Sequence, residues 1–145
     1  MTARFYEEYY KNNKKLNNIF RTDKCRVSLI EPHVIENVVL EGCTMEVEDV
    51  LELKTLNKSI AEGKPYAIVV SFEHLADVSK KAKELIASKE FAEYTVAKAL
   101  LVDNIGHRLI GNFYLAINKP YIKTKVFTDR TAAIEWLRLE IPSNQ

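Results

Sequence analysis

Three histidines are the side chains in this sequence best suited to acid–base work or to metal ligation, because a neutral imidazole titrates near neutral pH and binds divalent metals. They are His33, His74 and His107 of 145 residues. They fall in three separate predicted elements, and no HExxH motif joins any two of them. We therefore expect surface or internally satisfied histidines, and we predict no metal, no cofactor and no catalytic residue, so that the protein is not an enzyme.

The two cysteines, Cys25 and Cys43, lie in neither a CxxC motif nor a Cys/His metal spacing. The chain shows no secretory signal, and no apolar run approaches the roughly 20 residues that span a bilayer. Together these features predict a cytoplasmic protein with two reduced thiols and no integral membrane association.

An anion site is one interpretation of His107 and Arg108, which Gly106 and Gly111 flank at the start of a helix predicted over residues 105–117. The stretch is neither a GxGxxG motif nor a Walker loop. The alternative is a turn glycine beside exposed basic residues, and we favour it because turn chemistry explains Gly106 without a ligand. Close approach of this helix to a sheet would explain the mid-helix Gly111, which costs about 1 kcal/mol relative to alanine.

Composition places the chain among globular proteins of one domain. Hydrophobic residues make up 47% and charged residues 28%, and the net charge is +1. A chain this long buries enough surface to fold without a metal or a disulfide. The near-zero net charge gives no general attraction to nucleic acid, so we predict no nucleic-acid partner.

Residues 25–139 alternate between strand and helix patterns in the order β-β-α-β-α-β-α-β-α, which predicts a single α/β domain with a mixed sheet of about five strands. The apolar run Tyr66–Phe72 is typical of a strand buried on both faces.

Lys123 and Lys125 are expected on the solvent side of an edge strand. Thr128 is predicted to cap the last helix, whose Trp136 should be buried against the sheet near Phe113 or Phe127. The predicted strands are 25–30, 33–40, 66–72, 95–102 and 123–127, and the predicted helices follow at 46–62, 79–88, 105–117 and from 128.

Residues 1–24 differ from the rest in carrying six basic residues against three acidic ones, together with five aromatic residues. Apolar positions from Phe5 to Phe20 fall loosely on one helical face, which predicts a helical N-terminal arm. We expect it to dock on its own domain or on a second copy, and a basic arm that contacts another partner is the alternative. Residues 140–145 are expected to form a C-terminal tail.

The C-terminal motifs of the chain resemble those of small bacterial STAS/CRAL-TRIO-like proteins, which share the SpoIIAA-like fold of the anti-sigma factor antagonists. The resemblance rests on Leu109–Pro120, on Val126–Asp129 and on Ala133–Leu137. It implies a non-enzymatic regulatory or protein-interaction module with a protein partner, which includes the option of a homodimer. The alternative that it implies is a small apolar-ligand or lipid-binding protein of CRAL-TRIO-like type.

Ser79 is the position that the resemblance marks as a regulatory site. In the anti-sigma antagonists a serine at the start of the helix after a central strand is phosphorylated by a partner kinase, which breaks the complex. The matching stretch here is Ala76–Lys81, which contains Ser79. After this serine, Lys80, Lys81 and Ala82 stand in place of the glycine-rich residues that usually follow it. Considered by itself, Ser79 is expected to be a helix N-cap that contributes about 1 kcal/mol.

Overall fold

A six-stranded mixed sheet forms the centre of the protein. The structure is a computed structural model that describes residues 19–104, 106, 111–112, 115–116 and 119–142. The strands of the protein are β1 (Ile19–Arg21), β2 (Cys25–Glu31), β3 (Val34–Val39), β4 (Thr44–Met45), β5 (Tyr66–Phe72), β6 (Asp77–Val78), β7 (Thr95–Leu101) and β8 (Thr124–Phe127). The six-stranded sheet has the order β1-β2-β3-β5-β7-β8, and strands β4 and β6 form a separate two-stranded sheet.

The sheet changes from antiparallel to parallel at β3. Strands β1, β2 and β3 pair antiparallel, and β3, β5, β7 and β8 are parallel. The hairpin of β2 and β3 and the α/β class predicted from the sequence are confirmed. Strand β5 lies between two parallel neighbours, and this explains why its sequence is apolar without alternation.

Strand β1 corrects the prediction for part of the N-terminal arm. Ile19–Arg21 pairs with β2 instead of continuing a helix, and it raises the sheet from the expected five strands to six. Phe20 is only 2% exposed and packs in the core, so the domain begins before residue 25. Residues 1–18, on which the rest of the predicted arm falls, lie outside the described residues.

Helices cover both faces of the sheet. Helix α1 (Val47–Ile60) and helix α2 (Lys80–Ile86) pack on one face, and helix α3 (Arg130–Glu140) packs on the other. A 3₁₀ turn at Glu90–Ala92 follows α2. Apolar side chains at alternate strand positions therefore enter two separate cores. The buried core on the α1 and α2 side includes Val27, Ile35, Leu56 and Ile60, and that on the α3 side includes Val34, Val69, Ala133 and Leu137.

The helix ends follow ordinary capping chemistry. Glu46 and Asp49 form a capping box at the start of α1, and Gly63 has the positive φ of 72° that follows a helix end. Ser79 caps α2 by accepting a hydrogen bond from the Ala82 amide at 3.2 Å, so its predicted capping role is confirmed.

The cap of α3 is Asp129, which accepts from the Ala132 amide at 3.0 Å. The prediction of Thr128 as this cap was one residue too early.

The described residues of the segment between β7 and β8 are helical at Gly106, 111–112 and 115–116, and the chain leaves the helical conformation before Pro120. A Cβ atom built on Gly111 would lie 3.2 Å from Cγ2 of Val126 in β8. This is the close approach to the sheet that the sequence analysis gave as the reason for a glycine within a helix.

Trp136 packs on the face covered by α3, with its ring centroid 5.5 Å from that of Phe127. The predicted neighbour Phe127 is thus confirmed, and Phe113 lies outside the described residues. Trp136 is only partly buried, because Ala133 and Leu137 occupy the central positions of the helix against the sheet. The prediction that Trp136 is buried was therefore only partly correct, because the side chain keeps some exposure to solvent.

Within the described part of the chain, no helix combines the length and the apolar character that crossing a membrane requires.

Candidate functional site: an apolar cavity on the sheet

A cavity of about 820 Å³ lies on the sheet face that α1 and α2 cover. We call it the sheet cavity. Its floor is formed by side chains of the central strands, its walls by α1, α2 and by Gly111, Leu115 and Pro120, and one end by the turn 73–78. The size is within the range of cavities that bind small organic molecules, and most of the lining is apolar.

Side-chain alternation along the strands explains the floor. Successive residues of a strand point to opposite faces, so every second residue of β5 reaches the cavity. The floor residues are Tyr66, Ile68, Val70 and Phe72 of β5, Asn37 and Val39 of β3, and Lys98 and Leu100 of β7. From Tyr66 to Phe72 the strand is roughly 20 Å long at about 3.3 Å per residue. The cavity is therefore elongated along the strands.

The walls come mostly from helices that cover this face of the sheet. Helix α1 contributes Val50, Leu53, Lys54 and Asn57, α2 contributes Lys83 and Ile86, and the part of the chain between β7 and β8 contributes Gly111, Leu115 and Pro120. A hydrogen bond joins the residues that follow these two walls, because the Tyr121 amide donates to the carbonyl of Ala87, the C-cap of α2, at 3.0 Å.

The end of the cavity near the carboxyl ends of the parallel strands reaches the protein surface. Phe72 and Leu75 line this end and are exposed, Leu75 to 75%. Leu75 also has a positive φ of 60°, a conformation that is uncommon outside glycine and asparagine. The apolar lining thus continues from the interior to the surface at this end.

Lys98 is the charged residue in the floor. It lies in the middle of β7, beside Ile68 of β5 and Thr124 of β8, and is only 8% exposed. Burial, and then the charge of Lys54, lowers the pKa of Lys98 to about 8. Among the described residues, no carboxylate and no hydrogen-bond acceptor pairs with its ammonium group.

Lys54 and Tyr66 stand near the amino ends of the strands. The ammonium group of Lys54 donates to Oγ1 of Thr95 at 2.7 Å and lies over the rings of Tyr66 and Phe91, at 5.4 and 5.1 Å from their centroids. Burial, and then the charge of Lys58, lowers the pKa of Lys54 to about 8.

The Tyr66 hydroxyl is buried and close to Thr95. It makes no hydrogen bond of good geometry to any residue in the described ranges. Burial raises the pKa of this hydroxyl to about 12. Lys54 and the Tyr66 hydroxyl thus lie near the amino ends of the strands, and Lys98 lies farther along the cavity floor.

The residues that the sequence pointed to lie mostly elsewhere. His74 lines the exposed end of the sheet cavity, whereas His33 is in the turn between β2 and β3, and Ser79 caps α2. His107 and Arg108, proposed as an anion site, lie outside the described residues. No group of histidine, cysteine and carboxylate side chains suited to a metal occurs among the residues that the structure describes.

The cysteines do not contribute to the cavity. Both are free thiols, Cys25 buried and Cys43 partly exposed. Burial raises the pKa of the Cys25 thiol to about 12, which keeps it protonated and unreactive at neutral pH.

Lys98 was not among the residues predicted to form a site, although its position in the sequence carried a signal. Lys98 is the charged residue within the apolar run Thr95–Val102, which was interpreted as a strand buried on both faces. A lysine in such a strand must point into one of the two cores, and a buried lysine requires a functional or electrostatic reason.

The fold is of the SpoIIAA-like α/β class. A crystal structure of an uncharacterized protein from the DUF3478 family of Shewanella loihica PV-4, which has a SpoIIAA-like fold, matches with a TM-score of 0.50 at 14% identity. The match covers 82% of this chain and 90% of that one, and at this identity it speaks for the fold alone.

The chain belongs to the family described as Domain of unknown function (DUF7793), whose family model matches residues 29–139. Among curated proteins none matches the chain.

Proposed function

We propose that the protein binds a small, largely apolar molecule in the sheet cavity and carries out no covalent chemistry on it. The observation that carries this proposal is the cavity itself, which has a volume of about 820 Å³, lies between a sheet face and two helices and opens to the surface at one end. Filling such a space with side chains would stabilise the protein, because interiors are normally close-packed. A volume this large within a domain of this size is therefore better explained by a ligand than by loose packing.

The resemblance implied two functions, a protein-interaction module and a small apolar-ligand or lipid-binding protein, and the proposal corresponds to the second. The segment between β7 and β8 contributes Leu115 and Pro120 to the cavity wall, and the turn 73–78 contributes Leu75. These short elements enclose the space without the additional helices that a larger carrier protein uses. A regulatory module that contacts a protein partner remains our proposal for the biological output, supported by the SpoIIAA-like fold and by the position of Ser79 at the start of α2.

Titration with the neutral, apolar dye Nile red tests the binding proposal. We expect saturable binding of one dye per chain. Val70→Trp, in the middle of the floor, should fill part of the cavity and weaken binding. The matched control is Leu139→Trp, because Leu139 is 82% exposed on α3 and has no place in the cavity. Unsaturable binding, or equal binding by both variants and the wild type, would contradict the proposal.

A further inference from the structure

The position of Lys98 is hard to reconcile with an empty, purely apolar cavity. Its side chain is more than nine-tenths buried, lines the floor and has no anionic partner among the described residues. Burying a charge without a partner costs free energy, and a methionine at this position would fill a similar volume without that cost. The lysine therefore indicates a partner other than the residues that the structure describes.

The floor of the cavity is polar near the amino ends of the strands and apolar toward their carboxyl ends. Lys54 and the unpaired Tyr66 hydroxyl lie at the amino ends of β5 and β7. Toward the carboxyl ends the floor continues with Val70, Leu100 and Phe72. From the row of Ile68 and Lys98 to Phe72, the floor extends roughly 13 Å at about 3.3 Å per residue.

We infer that the ligand is a carboxylate with an aliphatic tail, whose head group pairs with the Lys98 ammonium and whose tail lies along β5 toward Phe72. This inference rests on the proposed function and specifies its ligand class. A carboxylate accepts charge-assisted hydrogen bonds from an ammonium group, and Lys98 is the lysine in the cavity floor. The floor beyond Lys98 is apolar as far as Phe72, which suits an aliphatic tail.

A pair of ligands with the same tail tests the inference directly. Decanoate and decan-1-ol differ in charge but hardly in length. By calorimetry on the full chain at pH 7, we expect decanoate to bind roughly ten- to a hundredfold more tightly than the alcohol, as charge-assisted hydrogen bonds imply. Lys98→Met should remove this preference and leave the affinity for the alcohol unchanged or improved.

Lys125→Met is the matched control for the loss of a lysine. Lys125 belongs to the neighbouring strand β8, is exposed and lies over the ring of Phe127, and it does not line the cavity. This variant should keep the preference for decanoate. Circular dichroism of both variants verifies that the fold is intact before affinities are compared.

The pH dependence of binding provides a second measurement that needs no variant. Decanoate should bind more weakly as pH rises from 7 to 10, because Lys98 loses its proton, whereas binding of the alcohol should change much less. The other ionisable groups that line the cavity are Lys54 of α1, Lys83 of α2, Tyr66 of β5, Glu73, His74 and Asp77 of the turn region, and Asp103 after β7. The same titration of Lys98→Met separates their contribution from that of Lys98.

The outcomes distinguish the two proposals. Equal affinity of the wild type for both ligands, or a decanoate preference that survives Lys98→Met, overturns the carboxylate inference and leaves the binding function standing. If none of decanoate, decan-1-ol and Nile red binds, both the binding function and the carboxylate inference are overturned. Loss of the preference in Lys98→Met but not in Lys125→Met supports the inference.

Discussion

Asn37 and Asn57 satisfy each other's side-chain amides across the boundary between strand β3 and helix α1. Asn57 Nδ2 donates to Asn37 Oδ1 at 2.9 Å, and Asn37 Nδ2 donates to Asn57 Oδ1 at 3.0 Å. The two residues are 1% and 3% exposed. The pair thus links α1 to the sheet beside the cavity through two hydrogen bonds between almost fully buried side chains.

Removing one amide of this pair should cost more than removing both. We expect Asn57→Leu to lower the free energy of unfolding by about 1–3 kcal/mol, because Asn37 is left buried without a partner. Asn37→Val combined with Asn57→Leu should recover much of that loss. Urea denaturation of the two single variants and the double variant gives the coupling energy, and strictly additive effects would contradict the prediction.

Lys98 should destabilise the ligand-free protein in a pH-dependent manner. Its folded pKa of about 8 lies below the ordinary lysine value of 10.5, so the unfolded chain binds the proton more tightly. The cost is therefore fully present below pH 8 and disappears as pH rises through 10.5. We expect Lys98→Met to be about 3 kcal/mol more stable than the wild type at pH 7 and less than about 1 kcal/mol more stable at pH 10. Urea unfolding at both pH values measures the difference, and a pH-independent gain would show that charge is not its cause.

Gly111→Ala should destabilise the protein despite the higher helix propensity of alanine. The added Cβ would lie 3.2 and 3.3 Å from the two methyl carbons of Val126, a residue that is only 3% exposed. Overpacking at such a site commonly costs about 1–3 kcal/mol. Combining the substitution with Val126→Ala removes the close contact, so Gly111→Ala should be tolerated better in that background. Thermal melting of the four proteins checks this, and an equal effect of Gly111→Ala in both backgrounds would contradict it.

Trp136 and Leu137 are adjacent on α3 and differ in burial, which gives a matched pair. Trp136→Ala should cost less than the roughly 3–5 kcal/mol typical of a fully buried tryptophan, because part of its ring already contacts water. Leu137 is fully buried, and Leu137→Ala should cost about 2–5 kcal/mol. Trp136 is the single tryptophan of the chain, so its fluorescence reports this site without interference. An emission maximum equal to that of free tryptophan would contradict the contact with Phe127.

Ser79 should behave as a cap in stability measurements whether or not it is a regulatory site. We expect Ser79→Ala to cost about 1 kcal/mol and Ser79→Asp to cost little, because aspartate also accepts a hydrogen bond at the N-cap. A pull-down with wild type and Ser79→Asp then tests the phosphorylation switch inferred from the resemblance. Different partner sets at equal stability would support a switch, whereas identical sets would leave Ser79 with its capping role alone.

Local patterns in the sequence were sufficient for most of the elements. The apolar run Tyr66–Phe72 predicted the central strand, and Pro120 predicted where the helical segment must end. These features depend on residues close together in the chain, through propensity, capping and periodicity. Ile19–Arg21 was assigned incorrectly because the pairing of a short edge strand depends on its partner β2, which its own sequence does not specify.

The candidate site depended on contacts between distant parts of the chain. Lys98 and Asn57 are ordinary polar residues in their local sequences, and their burial follows only when β7 and α1 enclose the same space. The sequence by itself determined the α/β class, the strands β2, β3, β5, β7 and β8 and the capping role of Ser79, whereas the short strands β1, β4 and β6 were not predicted. The tertiary structure decided that the sheet and the helices leave a cavity, and that a lysine without an anionic partner among the described residues lies in its floor. Packing between distant elements sets both features, and no periodicity or motif in a single sequence encodes how completely two surfaces fill the space between them.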